Sequence, residues 1–421
     1  MAVQVAMNVG ASGRAVNWLI ALTVPMLVIV AFMPMVYRAE ALDQGFSLSR
    51  VIEPVMLAGA ALCALTLVSR GTELRFHTSG SGMFVLFAGF GLWAMTTALI
   101  SPPSMTGLVK GAELIVVGLA ALCFSTALTR PGDAMDKRAV ERWCACGVLA
   151  ALSLLIVSNV FLWGSLLPRL PTEGDGRLRL FLGNTHPLEG AMLLSVSIVC
   201  ILTSDFRLSI KTVLLTAMAV LLLLADARGI TIGLAMGIGL ITLASIPNSP
   251  IKLLLLLTLG VAAIGGLVLT LALIDVERVA ANLIGEDLFT LNGRLLVWKY
   301  ALTIFSEYPL TGVGFFNSRY FLLGEAKFAG HAHNSVIEVL MTTGVIGGTI
   351  LFCFIGAWFH VLLRTRSLML LGLTPLFLTE GMLNPVILSP GFAMFFLMTA
   401  LITAIRRYDF SRSNRAVRSR L

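Results

Sequence analysis

Charge is scarce in this 421-residue chain, where Asp, Glu, Lys and Arg make up 12% of the residues. Ordinary soluble domains carry roughly a quarter, so a protein whose surface is mostly wetted by water is excluded. Cysteine supplies no framework. Cys63, Cys123, Cys200 and Cys353 sit within apolar runs and Cys144 and Cys146 at a helix entrance, where they read as small packing residues; one Cys-x-Cys spacing does not make a metal site. The first apolar run is not expected to be a cleavable leader. It exceeds the length of a secretory h-region, and Met35-Val36-Tyr37-Arg38 offers no small-residue cleavage site. No internal repeat marks the two-halves plan of many secondary transporters.

What the chain has is apolar length: 57% of its residues are hydrophobic, in recurrent runs near the roughly 20 residues a helix needs to span a bilayer. The runs predict helices near 17–36, 51–69, 82–100, 111–128, 146–164, 187–204, 212–226, 229–246, 253–274, 334–361, 368–383 and 391–405. The expected fold is all-α: a polytopic bundle of about twelve transmembrane helices forming one integral membrane domain over residues 1–421, with no soluble domain before or after it. Arg406, Arg407, Arg412, Arg415, Arg418 and Arg420 in the tail place both termini in the cytoplasm by the positive-inside rule. On that topology 18 of the 30 Lys and Arg face the cytoplasm and 12 the periplasm. The basic tail is a topology and anionic-lipid anchor rather than a nucleic-acid site.

One long polar insertion, residues 275–333, falls on the periplasmic side. Within it Arg294 to Ser306 predicts a surface helix, with Leu296, Tyr300 and Ile304 at i, i+4, i+8 and Val297, Ala301 and Phe305 beside them. Asn292-Gly293 starts it, and Pro309, Gly312 and Gly314 end it in a turn. The chain returns to the membrane through His331-Ala332-His333-Asn334, and Ser335 with Glu338 has the spacing of a capping box. His333 and Asn334 then lie at a helix N-terminus, whose free N–H groups favour an anion. A second periplasmic loop, 165–186, carries Arg169, Arg177 and Arg179. Gly233-x-x-x-Gly237, with Gly239 beyond, suits close helix packing.

Four residues stand out. Arg228, in the short connection Asp226-Ala227-Arg228-Gly229, costs several kcal/mol near membrane depth unless it has a partner or a wet cavity. It pairs with Asp226, snorkels, or faces a ligand. Arg294 is either a solvated loop arginine or a ligand contact. His331 and His333, two of five histidines, are helix-start hydrogen-bond partners or reactive groups; no neighbouring Cys or carboxylate completes a metal set.

The order Gly293-Arg294-Leu295-Leu296-Val297-Trp298, then Pro309, Gly312 and Gly314, then His333-Asn334 with Gly344 and Gly347, resembles the signature of the O-antigen ligase and polymerase superfamily. Asp226-Ala227-Arg228-Gly229 is similar to that family's Ser-Arg-Gly-like element, with Ala227 in place of the hydroxyl residue, and Leu188 after Gly183-Asn184-Thr185-His186-Pro187 departs from its relatives' usual Asn. The resemblance implies an inner-membrane glycosyltransferase with a periplasmic active site, moving a glycan from undecaprenyl diphosphate to an acceptor hydroxyl. In that reading Arg228 and Arg294 bind the diphosphate and stabilise its growing charge. His333 takes the proton from the attacking hydroxyl. Asn334, Arg177 and Arg179 are further substrate-binding candidates. No Asp-x-Asp pair on the periplasmic side would hold a divalent ion, so the expected reaction is metal-independent and needs no cofactor. The favoured acceptor is lipid A-core, making the chain an O-antigen ligase acting as a monomer among membrane lipids. The alternatives are a polymerase extending lipid-linked repeats and, from a different class, a transporter of an anionic lipid or sugar.

Overall fold

The structure is a computed structural model that describes residues 81–100, 105–127, 142, 145–150, 152–153, 187–225, 227–246, 294–326, 330–365 and 367–383. The helices expected near 17–36, 51–69, 253–274 and 391–405 lie outside these residues, as do most of 146–164 and both Arg177 and Arg179. Among the described residues every regular element is helical, as the composition requires. The helices are α1 (Ser81–Ile100), α2 (Met105–Ala127), α3 (Pro187–Thr203), α4 (Leu208–Leu224), α5 (Arg228–Ser245), α6 (Arg294–Glu307), α7 (Ser318–Ala326), α8 (Ser335–Thr365) and α9 (Leu368–Leu383). Of these, Gly82–Ile100 and Ser335–Leu363 are long and apolar enough to cross a membrane, and shorter apolar helices cover Gly190–Thr203, Leu208–Leu224, Gly229–Ser245 and Leu368–Met382.

Most boundaries follow the hydropathy. The second helix does not: it begins at Met105, where the apolar run alone places its start near 111. Lys110 delays that reading, but in the helix it sits 2.7 Å from Glu113, one turn on. A paired charge is tolerable where a lone one is not.

Packing divides the helices into two faces. Helix α3 is buried from Gly190 to Ile201, including Ser195 and Ser197, and meets α4, α5 and α9. Helices α1 and α2 pack side by side, and α8 lies against α1. Helix α4 buries Met218 and Leu222 and turns Leu208, Val213, Val220 and Leu223 outward. Large exposed aliphatic faces of this kind are costly in water, at about 25 cal/mol per Å², and cost nothing in lipid. Many hydroxyls in these helices donate within the same helix, as in Ser197 to Leu193 O, Thr242 to Ile238 O and Thr374 to Leu370 O, which suits a water-free surround; the buried Ser195 Oγ makes no such bond.

Helices α5 and α9 run antiparallel in close contact. A Cβ on Gly237 would collide with the Gly372 carbonyl, and one on Gly233 would lie 3.1 Å from Thr379 Oγ1. The expected small-residue seam is therefore present at these two glycines. Gly239 faces open space and takes no part. At the opposite end from the α5 start, Arg142 Nε donates to Asp205 Oδ1 at 2.8 Å, tying the segment before α3 to the α3–α4 connection, two stretches that the sequence assigns to one side of the membrane.

Candidate active site

The site is built on a broken helix. Gly344, inside α8, has φ 67° and ψ −170°, a conformation essentially restricted to glycine. In an unbroken helix the Val345 N–H would bond the Met341 carbonyl. Here the turn after α6 takes up both groups: Val345 N–H donates to Pro309 O at 2.8 Å, and Val313 N–H donates to Met341 O at 2.9 Å. Trp93 of α1 donates its indole N–H to Thr343 O at 2.9 Å. The break thus leaves no orphaned backbone group at these positions, which a buried helix interruption requires.

The turn fits because of two more positive-φ glycines, Gly312 at 65° and Gly314 at 95°. A side chain on Gly312 would strike the Thr342–Thr343 backbone, and one on Gly344 would strike Leu310. The turn is held from the other side too, since Phe315 N–H donates to Thr97 Oγ1 at 3.3 Å and the Phe315 ring is buried against Phe90. The glycines and proline of the sequence motif therefore form a clasp between α8 and the segment that follows α6.

A small second core closes over this clasp. Val297 and Ala301 of α6 are fully buried with Val313, Leu322, Ala332 and Met341, and Tyr300 and Ile304 flank them. The buried seam of α6 is centred on Val297 and Ala301, one residue along from the predicted Leu296, Tyr300 and Ile304 line. Its consequence is to bring Trp298 against the histidine loop, where the indole N–H donates to Ala332 O at 2.8 Å.

His333 sits between two pinned residues. Its own φ is 51°, an uncommon value for a residue with a side chain. Its N–H donates to His331 Nδ1 at 3.3 Å, and the two imidazoles meet edge to face with centroids 4.1 Å apart. After it, Asn334 Oδ1 accepts from Val336 N–H at 3.0 Å and Ile337 N–H at 3.1 Å. The helix cap is therefore Asn334, and the expected Ser335–Glu338 capping box is not the arrangement found. The Glu338 carboxylate reaches instead to Ala332 N–H, at 2.7 Å. This shift has a chemical consequence. Two of the N–H groups expected to be open to an anion at this helix start are occupied by Asn334, whose side chain is buried and also donates to Met382 O at 3.4 Å. Asn334 is first a structural residue.

The two arginines begin their helices. Arg294 is the first residue of α6, one turn, or about 6 Å along the axis, from Trp298. Arg228 is the first residue of α5, and Ala227 occupies its cap position without a side-chain cap bond. Their side chains lie outside what the structure describes. Their helix starts can still be placed. Moving from the Gly233–Thr379 contact toward the α5 start moves along α9 toward Met382, the residue whose carbonyl receives Asn334. The starts of α5, α6 and α8 thus share one end of the bundle, opposite the Arg142–Asp205 pair.

Hydropathy does not reveal the residues that hold this end together. Trp93 and Trp298 act through backbone groups distant in the chain, while Glu338, marked in the sequence as a carboxylate in an apolar helix and as a capping-box partner, binds a backbone group six residues earlier.

Among the described residues the chain is all-α and carries large aliphatic side chains on its outer faces, with two helices long and apolar enough to cross a membrane. Residues 213–352 match the family model described as O-antigen ligase, and this match supports the O-antigen ligase superfamily for this chain. The family covers O-antigen ligases and polymerases, which are membrane-integral, glycosyltransferase-like enzymes. The matched span, about a third of the chain, runs from α4 into α8 and includes Arg228, Arg294 and His333. No curated protein matches the chain.

Proposed function

We propose that this protein is an O-antigen ligase that transfers glycan from undecaprenyl diphosphate to a hydroxyl of lipid A-core at the periplasmic face of the bacterial inner membrane. It is a bundle of about twelve spanning helices, with both termini cytoplasmic and residues 275–333 forming the periplasmic loop. The observation that carries the reading is the meeting of the α5, α6 and α8 starts, with Arg228, Arg294 and His333 at or beside them. As the glycosidic bond breaks, negative charge builds on the departing diphosphate. Two guanidiniums receive it through paired hydrogen bonds in a partly dry site, a geometry that lysine cannot supply. His333 accepts the proton of the acceptor hydroxyl as that oxygen attacks the anomeric carbon. Arg177 and Arg179 extend the anionic-substrate surface from the neighbouring loop, and Asn334 sets the position of the His333 backbone. Neither metal nor cofactor enters any step, and one monomer carries the whole site.

Purified protein in nanodiscs, given lipid-linked glycan and lipid A-core, tests this. Arg228→Ala and Arg294→Ala are each expected to lower turnover about 10²-fold, and a chelator is expected to leave the wild type unaffected. Full turnover in both arginine variants would remove the proposed diphosphate contacts. In cells, loss of the gene is expected to leave long glycan on its lipid carrier; cores bearing at most one repeat would instead identify a polymerase.

A further inference from the structure

The His333 loop is held by a carboxylate that the reaction itself does not use. Glu338 lies in the first turns of α8 with only 2% of its surface exposed. Its Oε2 accepts from Ala332 N–H at 2.7 Å, and the Ser318 hydroxyl, at the start of α7, bonds the same carboxyl. Ser318 Oγ also lies 3.3 Å from Gly330 O, so its single proton is shared between that carbonyl and the carboxyl. The carbonyl of Ala332 is taken by Trp298 of α6. Both polar groups of the residue preceding His333 are therefore fixed, one by α8 and one by α6, and the residue after it is locked as the α8 cap.

The physical reason for such a carboxylate follows from the backbone it serves. A histidine at φ 51° occupies a region that persists only where its surroundings over-determine it. A buried carboxylate in an apolar helix also costs several kcal/mol unless its hydrogen bonds repay it. Each cost accounts for the other: the loop N–H satisfies the carboxylate, and the carboxylate holds the loop in its strained turn. We infer that Glu338 is a positioning residue, which clamps the His331–Ala332 peptide, one bond before His333, to α8 and through Ser318 to α7, and so aims the His333 imidazole at the acceptor hydroxyl. This role rests on the reading of His333 as the base, whereas the clamp itself is independent of that reading.

The test uses the full-length protein in nanodiscs with Glu338→Gln, Glu338→Asp and Glu338→Ala. Two quantities are read on the same samples: amide hydrogen exchange over residues 330–337, and kcat and KM for glycan transfer per folded molecule. Glutamine keeps an acceptor oxygen at the same reach and is expected to stay within a few-fold of wild type in both. Alanine is expected to speed exchange at Ala332 about 10- to 100-fold and lower kcat about 10- to 100-fold, as displacement of a reacting group does, with KM unchanged. Aspartate, one methylene shorter, falls between them and serves in place of alanine if the alanine variant does not fold. Unchanged exchange in the alanine or aspartate variant would overturn the clamp. Raised exchange with unchanged kcat would show that the clamp stabilises the loop without aiming the base, and would overturn the positioning role. If wild-type protein transfers no glycan, the ligase reading fails, and exchange alone still decides the clamp.

Discussion

Replacing His333 by asparagine is expected to lower glycan transfer by about 10²- to 10⁴-fold, the usual range for removing a general base, while donor binding stays near wild type. Asparagine is the informative substitution because His333 has φ 51°, a conformation that asparagine tolerates better than most residues. The variant therefore removes the proton acceptor and keeps the turn. His333→Ala is expected to give the same loss in turnover with a further small loss of stability from the positive φ. The measurements are single-turnover transfer and donor affinity on the same nanodisc preparations. A fall in turnover matched by an equal fall in donor affinity would assign His333 to binding. Turnover within a few-fold of wild type would remove it from the chemistry.

The second large effect is on folding. Gly344→Ala places a side chain at φ 67°, ψ −170° and drives it into the Leu310 backbone. Strain in this region costs about 1–3 kcal/mol and overpacking about 1–3 kcal/mol more, a total comparable to the margin by which many proteins stay folded. The expected outcome is a strongly lowered melting temperature in detergent or loss of monodisperse protein. Gly239→Ala is the control. That glycine lies on an exposed stretch of α5 with nothing near its absent side chain, so alanine there is expected to be neutral or stabilising by up to about 1 kcal/mol. Equal behaviour of the two variants would contradict the clasp between Pro309 and the α8 break.

The contrast between these two glycines shows what the sequence can and cannot convey. Helix existence was legible because lipid imposes long apolar runs, and α1, α3, α5, α8 and α9 begin and end within a few residues of where hydropathy places them. Helix α2 was misplaced at its start because Lys110 looks like a boundary until its pairing with Glu113 is seen. The clasp glycines were legible as a motif. That one of them interrupts α8 was not, because Gly344 lies inside an apolar run whose hydropathy does not change at the break. The cap was misread by one residue for a similar reason. Ser335 and Glu338 have the right spacing for a local capping pair, and only the approach of Ala332 reveals that the carboxylate has a different donor. Long-range hydrogen bonds such as Trp298 to Ala332 and Trp93 to Thr343 join residues with no shared periodicity, so no pattern in the chain announces them. The candidate residues themselves were legible as chemistry, two arginines and a histidine in an otherwise charge-poor chain; their common end of the bundle needed the α5–α9 crossing and the Asn334–Met382 contact.

The most direct test of the central claim is a cryo-electron microscopy map of the protein in nanodiscs with undecaprenyl diphosphate bound. The account predicts the diphosphate at the shared end of α5, α6 and α8, with phosphate oxygens within about 2.7–3.1 Å of the Arg228 and Arg294 guanidiniums and the His333 ring facing the position of the leaving sugar. A diphosphate held elsewhere, for instance near Arg142 and Asp205 at the opposite end, or an imidazole turned away from both arginines, would contradict it.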